Sequence, residues 1–193
     1  MWGLPFSFFT ATHMVTPVLG SQIRTNQLLG VTLVRTLFYA ITSSTLTFFK
    51  FFYHLPSLTG ALYFKAMLNA ESSYATRAFW ALVPLFCMAL FISNPVGSQA
   101  WPYSLYWLIP AMIALLPART TFLSALGSTF TTHAIGSVLF LFCTPMTPAF
   151  WLALMPVVFF ERICFALGIT TLYYLVTYCK QVVVWGNFRL LRA

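Results

Sequence analysis

A chain of 193 residues that is 60% hydrophobic and 19% aromatic, with only 6% charged side chains, is not built as a soluble globule; soluble domains carry about 25% charged residues. Ten basic and two acidic side chains cannot cover such a surface, so lipid must be its solvent. The net charge of +8 comes from basic residues scattered singly, the pattern of topology determinants and not of a nucleic-acid surface.

At about 20 residues per span, the chain holds six or seven membrane helices and leaves no room for a separate soluble or nucleotide-binding domain. The first twenty residues lack the positive n-region of a cleaved signal peptide and are interrupted by Pro5 and Pro17. Residues 1–25 therefore read as an interfacial or re-entrant segment, or as a seventh span. The first convincing span runs from Asn26 to Phe49, with Arg35 inside it and Lys50 at its end. Thr36, Ala40 and Ser44 repeat on it every four residues. That small-xxx-small spacing lets another helix approach closely and marks a partner-helix contact. Arg35, about two turns from the inner end, can snorkel to the interface.

A shorter apolar stretch from Phe51 to Met67 follows, headed by Tyr53-His54-Leu55-Pro56. The polar patch from Asn69 to Arg77 reads as a loop, Ala78 to Ser93 as the next span, and Asn94-Pro95-Val96-Gly97-Ser98 as a turn. Trp101 to Pro117 makes a fourth span, opened by Trp101-Pro102-Tyr103, and Arg119 marks a tight connection. Thr120 to Cys143 is the fifth, broken by Thr144-Pro145-Met146-Thr147-Pro148; Ala149 to Tyr178 is the sixth, closed by Lys180. Helix is the expected form of each, because backbone groups in lipid must be satisfied within the segment. Barrel strands would alternate polar and apolar residues, and these do not. The expected fold is all-α, a six-helix transmembrane bundle over residues 26–180 with a cytoplasmic tail at 181–193.

If the first span leaves the cytoplasm, then Arg24, Lys65, Arg77, Arg119, Lys180, Arg189 and Arg192 all fall inside, and only Lys50 falls outside. That positive-inside bias predicts a multi-pass protein of the cell (inner) membrane with both termini cytoplasmic. Trp2, Trp101, Trp107, Trp151 and Trp185 lie near predicted span ends, where interfacial anchors belong.

Glu161 is one of two acidic residues and lies about twelve residues into the last span, roughly 18 Å from its outer end. A carboxylate at that depth needs a partner or a water-filled cavity. Arg162 is adjacent but points about 100° away on a helix, so His133, roughly 15 Å down the preceding span, is the better expected partner. Thr129, His133, Gly136 and Ser137 fall at helical spacing and make a small, polar stripe that faces protein. These groups either serve function or tie helices together by buried hydrogen bonds.

A second constellation gathers at the predicted outer face: Tyr53, His54, Asn94, Trp101, Tyr103, Tyr106 and Trp107. Aromatic walls with a few polar groups are what a small-ligand pocket requires; a headgroup-level aromatic belt is the alternative. The substrate-binding candidates are therefore His54, Asn94, Trp101, Tyr103, Tyr106, Trp107, His133 and Glu161. No H-E-x-x-H, Walker loop, dinucleotide fingerprint or local catalytic signature occurs. The four cysteines have no metal-ligand spacing and read as apolar packing. No catalytic residue, metal or cofactor is implied.

Six helices, a shortened second span and aromatic outer loops together resemble the substrate-binding S components of energy-coupling-factor vitamin transporters. The stretch from Leu126 to Ser137 looks like the small-residue fifth helix of that group, and His54 to Tyr63 is similar to its Pro- and Gly-bearing second helix. The Thr36, Ala40 and Ser44 face resembles the surface on which S components meet a transmembrane coupling partner. The resemblance implies capture of a small metabolite in the outer half of the bundle and release driven by a separate ATP-hydrolysing module. Glu161 and Arg162 stand outside it. A stand-alone proton-coupled carrier using Glu161 and His133, and a structural or assembly subunit without ligand, are the competing expectations. No inverted repeat, the mark of many such carriers, is visible between the halves.

Overall fold

The computed structural model of this chain describes residues 12–42 and 52–190, with side chains described from 14 to 42 and from 52 to 183. Among the described residues every element is helical. In order they are α1 (Thr12–Gln22), α2 (Thr25–Thr42), α3 (Leu55–Leu68), α4 (Tyr74–Ser93), α5 (Pro95–Gln99) and α6 (Trp101–Ser104). A 3-10 turn (Leu105–Trp107), α7 (Leu108–Leu115), α8 (Thr121–Cys143) and α9 (Pro148–Leu190) complete the chain. Three of these, α4, α8 and the Pro148–Val183 part of α9, are long and apolar enough to cross a membrane.

Local chemistry sets the helix ends, and in three places it moves them from where the residue pattern puts them. The patch before Ala78 is not all loop: the Ser73 hydroxyl accepts the Thr76 N–H at 3.1 Å, so α4 begins at Tyr74. The predicted Trp101–Pro117 span is broken into α6, the 3-10 turn and α7. Pro110 cannot donate to the carbonyl four residues back, that of Tyr106, and the chain tightens there. The last helix does not stop near Tyr178; it runs on to Leu190, and residues 181–190 of the expected tail continue it. No Gly or Pro interrupts the chain between Lys180 and Trp185. At 43 residues it is roughly 65 Å long, about twice the hydrocarbon thickness of a bilayer.

α8 is the axis of the bundle. On one side α3 packs against it almost backbone to backbone: the Ser128 hydroxyl donates to the Gly60 carbonyl at 2.7 Å, and any Cβ on Gly60 would strike the Thr132 hydroxyl. The Tyr63 ring lies over Gly127, where a Cβ would come within 2.5 Å of it, and its hydroxyl donates to the Pro110 carbonyl at 2.6 Å. Small residues thus let the two helices approach, as they do where lipid offers no hydrophobic drive between helices. Gly136 does not share this role, because the nearest atom to its Cβ position is Pro56 Cγ at 3.9 Å. α1, in the segment expected to be interfacial or re-entrant, is a helix docked on α3 and α9. Val18 is buried, Gly20 sits on Ala61, and Gly168 makes room for Met14.

The cations gather at one end of the bundle and cap helix C-termini. Lys65 donates to the Ile23 carbonyl at 2.5 Å, and Arg119 donates to those of Met67 at 3.2 Å and Leu116 at 2.8 Å. Arg77 donates to Ala114 at 3.1 Å, to Leu116 at 2.6 Å and to Leu115. Lys180 reaches the Gln22 side chain at 2.6 Å. Cations placed at helix C-termini meet the negative end of the macrodipole. By contrast, α2 buries only Leu28 and exposes apolar side chains such as Val31, Val34, Phe38 and Ile41. Ser44 and Lys50 lie outside the described residues, as do Trp2 and the Trp185 side chain.

Candidate functional site

A tight corner at the end of α4 builds the site. Asn94 ends α4 and caps α5, its Oδ1 accepting the Val96 N–H at 2.9 Å. Gly97 follows, pressed against the Phe91 carbonyl so closely that no Cβ fits. The chain therefore folds back at once, and α6 with the 3-10 turn lays Tyr103, Tyr106 and Trp107 against α8 and α9.

The result is a buried aromatic cluster with a polar heart. Tyr103 is 1% exposed, Trp107 and Phe91 0%, and Trp151 2%. Phe91 stacks on Tyr103 at 5.7 Å between centroids and takes Trp107 and Trp151 edge-on, each at 5.2 Å. Tyr103 also meets Trp151 at 4.9 Å. Offset and T-shaped pairs of this kind add stability beyond the area they bury. Inside them the Tyr103 hydroxyl lies 2.8 Å from His133 Nε2, and Ser137 Oγ is 3.4 Å from each. Tyr106 donates to the Met155 carbonyl at 3.0 Å and stacks on Phe130.

On α9, Trp151, Met155, Val158 and Arg162 recur every three or four residues, which turns one stripe of the helix toward this cluster. Arg162, 3% exposed, lies below it and within electrostatic reach of both Tyr103 and His133. Its guanidinium donates to Glu161 at 2.7 Å, and Glu161 is 21% exposed. The expected pairing of Glu161 with His133 is thus replaced by one with its sequence neighbour. An arginine side chain is long enough to curl across the 100° between adjacent helical positions, and a buried guanidinium requires a counter-charge. The same guanidinium lies 4.9 Å from the Phe165 ring centroid.

Of the eight substrate-binding candidates, Tyr103, Tyr106, Trp107 and His133 come together, and Glu161 joins them through Arg162. Asn94 serves as the cap described above. Trp101 is 51% exposed, and His54 packs edge-on against Tyr53 and Tyr39. Trp107 and Trp151, expected at the interface, are core residues instead, because the back-folded chain and the α9 stripe carry them inward. Phe91 and Trp151 are the members that residue reading missed. The spacing of Trp151, Met155 and Arg162 was the available signal for the second, and nothing local marked the first.

Two open clefts lie elsewhere. One of about 470 Å³ separates α2 from α3, lined by Gly30, Leu33, Thr36, Phe52 and Leu55. The other, about 510 Å³, opens at the cationic end beside Lys65, Asn69, Glu71 and Thr76. Of the partner-helix candidates, Thr36 and Ala40 are half-buried, and the Thr36 hydroxyl donates to the Thr32 carbonyl at 2.9 Å. Among the described residues no group of three His, Cys, Asp or Glu side chains is placed to hold a metal ion. No protein-family model, curated protein or solved structure matches the chain.

Proposed function

We propose that this chain is a substrate-binding subunit of a membrane uptake system, spanning the cell membrane six times with its cationic end in the cytoplasm. The observation that carries the reading is the buried junction of Tyr103, His133 and Ser137 within the aromatic cage of Phe91, Tyr106, Trp107 and Trp151. A few convergent polar groups among aromatic walls suit a small metabolite. Energy would come from a separate ATP-hydrolysing module, as in the vitamin transporters whose S components the chain resembles. The α2 surface around Thr36 and Ala40, little used inside the bundle, suits the coupling helix of such a partner.

Native mass spectrometry of protein purified gently from its own membrane tests this. A bound small metabolite in stoichiometric amount supports a binding subunit; a correctly folded protein carrying only lipid refutes it. The complete burial of Tyr103 and Trp107 favours a second reading, an assembly subunit in which the cluster is a structural knot. Under that reading Tyr103→Phe lowers the yield of folded protein and changes no uptake. Glu161, held by Arg162, lends no support to a proton relay through His133.

A further inference from the structure

Two buried donors in the cluster have no hydrogen-bond acceptor among the described residues: the indole N–H groups of Trp107 and Trp151. Buried donors are rarely left unmet, and each one in a native fold calls for an explanation such as a missing bound group. Both indoles pack on the same two rings, those of Phe91 and Tyr103. The other polar groups of the cluster have partners within it: Tyr103, His133 and Ser137 serve one another, and Tyr106 donates to Met155. The cation beneath, Arg162, is matched by the carboxylate of Glu161, so the fixed charge of the cluster sums to zero.

Resting on the reading of this cluster as the binding site, we infer that it takes an uncharged, flat, unsaturated molecule whose two hydrogen-bond acceptors, ring carbonyls or ring nitrogens, meet the Nε1 atoms of Trp107 and Trp151. Each alternative leaves a cost unmet. An anion has to displace Glu161 from Arg162, and a cation approaches Arg162 with no spare carboxylate to offset the repulsion. A purely apolar molecule leaves both indole donors unpaired. A flat ring with acceptors at its rim satisfies both donors and stacks on the aromatic walls. The two indoles belong to different elements, Trp107 to the 3-10 turn and Trp151 to α9. Parting those two elements opens a slot bounded by Phe91 and Tyr103.

The test uses full-length protein purified in its own lipids and labelled with ¹⁵N-tryptophan. Bound small molecules are released by denaturation and identified by mass spectrometry in both ion modes. The indole N–H resonances, assigned with Trp107→Phe and Trp151→Phe, are compared before and after exhaustive depletion of the folded protein. The expected result is one neutral molecule with two ring acceptors per chain, and movement of both resonances on depletion. Each Trp→Phe change should cut occupancy about tenfold, the effect of one lost hydrogen bond. If either variant fails to fold, the wild-type resonances carry the decision. A bound carboxylate, phosphate or amine overturns the inference and leaves the binding-subunit reading standing, and unmoved indole resonances overturn the assigned contacts. A folded protein with nothing bound but lipid overturns both.

Discussion

Two glycines on α8, nine residues apart, should answer the same substitution in opposite ways. At Gly127 an added Cβ falls 2.5 Å from Tyr63 Cε1 and Oη and 2.7 Å from Cζ. The ring cannot swing aside, because it is fully buried, it meets Trp80 edge-on, and its hydroxyl is bound to the Pro110 carbonyl at 2.6 Å. Gly127→Ala therefore forces α3 and α8 apart or displaces the ring. Overpacking of this kind costs about 1–3 kcal/mol, and loss of the tyrosine bond adds about 0.6 kcal/mol in a membrane setting. The better helix propensity of alanine returns about 1 kcal/mol, leaving a net destabilisation of about 1–3 kcal/mol. At Gly136 the nearest atom is Pro56 Cγ at 3.9 Å, an ordinary contact, so only the propensity gain remains and Gly136→Ala stabilises by about 0.5–1 kcal/mol. The assay is the fraction of monodisperse protein surviving a temperature series in one detergent, read by size-exclusion chromatography. A Gly127→Ala protein as stable as wild type, or a Gly136→Ala protein that falls with it, would refute the close-packing account of the α3–α8 contact.

Glu161→Gln should destabilise the bundle by about 3 kcal/mol, because it strands a guanidinium that is 3% exposed. Arg162→Gln should cost less, since the carboxylate it leaves is 21% exposed and can take up a proton; equal losses in detergent melting would count against the asymmetry. Gly97→Ala should unfold the corner between α4 and α5 and lower the yield of monodisperse protein, since the obstacle is the Phe91 backbone carbonyl and not a side chain that can turn. In variants keeping one cysteine each, a membrane-impermeant maleimide should label exposed Cys143 only from outside and exposed Cys179 only from inside, with Cys164 unlabelled in lipid. Labelling of Cys143 and Cys179 from the same side would break the proposed topology.

Helix identity and approximate boundaries were legible because lipid leaves the backbone one good solution, and Pro-rich turns such as Asn94–Ser98 punctuate it. The ring of cations at one end was legible for the same reason: Lys65, Arg77, Arg119 and Lys180 are the few charges present, and each stands at a span end. The depth of His133 was also readable, from residue counting along α8. What counting could not supply was azimuth. Trp107 and Trp151 look like interfacial anchors by position along the chain, and only the back-folding at Gly97 and the face of α9 turn them inward. The Glu161–Arg162 pair was missed because ideal side-chain vectors diverge, while a long flexible side chain bends to its counter-charge. Gly60, Gly127 and Gly136 are indistinguishable as letters; which of them holds two backbones together depends on what stands opposite.

α9 carries Trp151 in the outer cluster and Lys180 in the ring of cations as parts of one unbroken helix, roughly 44 Å apart. A continuous helix acts as a lever, so a small rotation of Trp151 displaces Lys180, and with it the end of α1 that it grips, by an amount set by length and not by any relay of contacts. The lever has one soft point. Pro156 lacks the N–H that would bind the Leu152 carbonyl, and it falls between Trp151 and Arg162. Stiffness at that single residue therefore decides how much of what happens at the outer face is felt at the inner one.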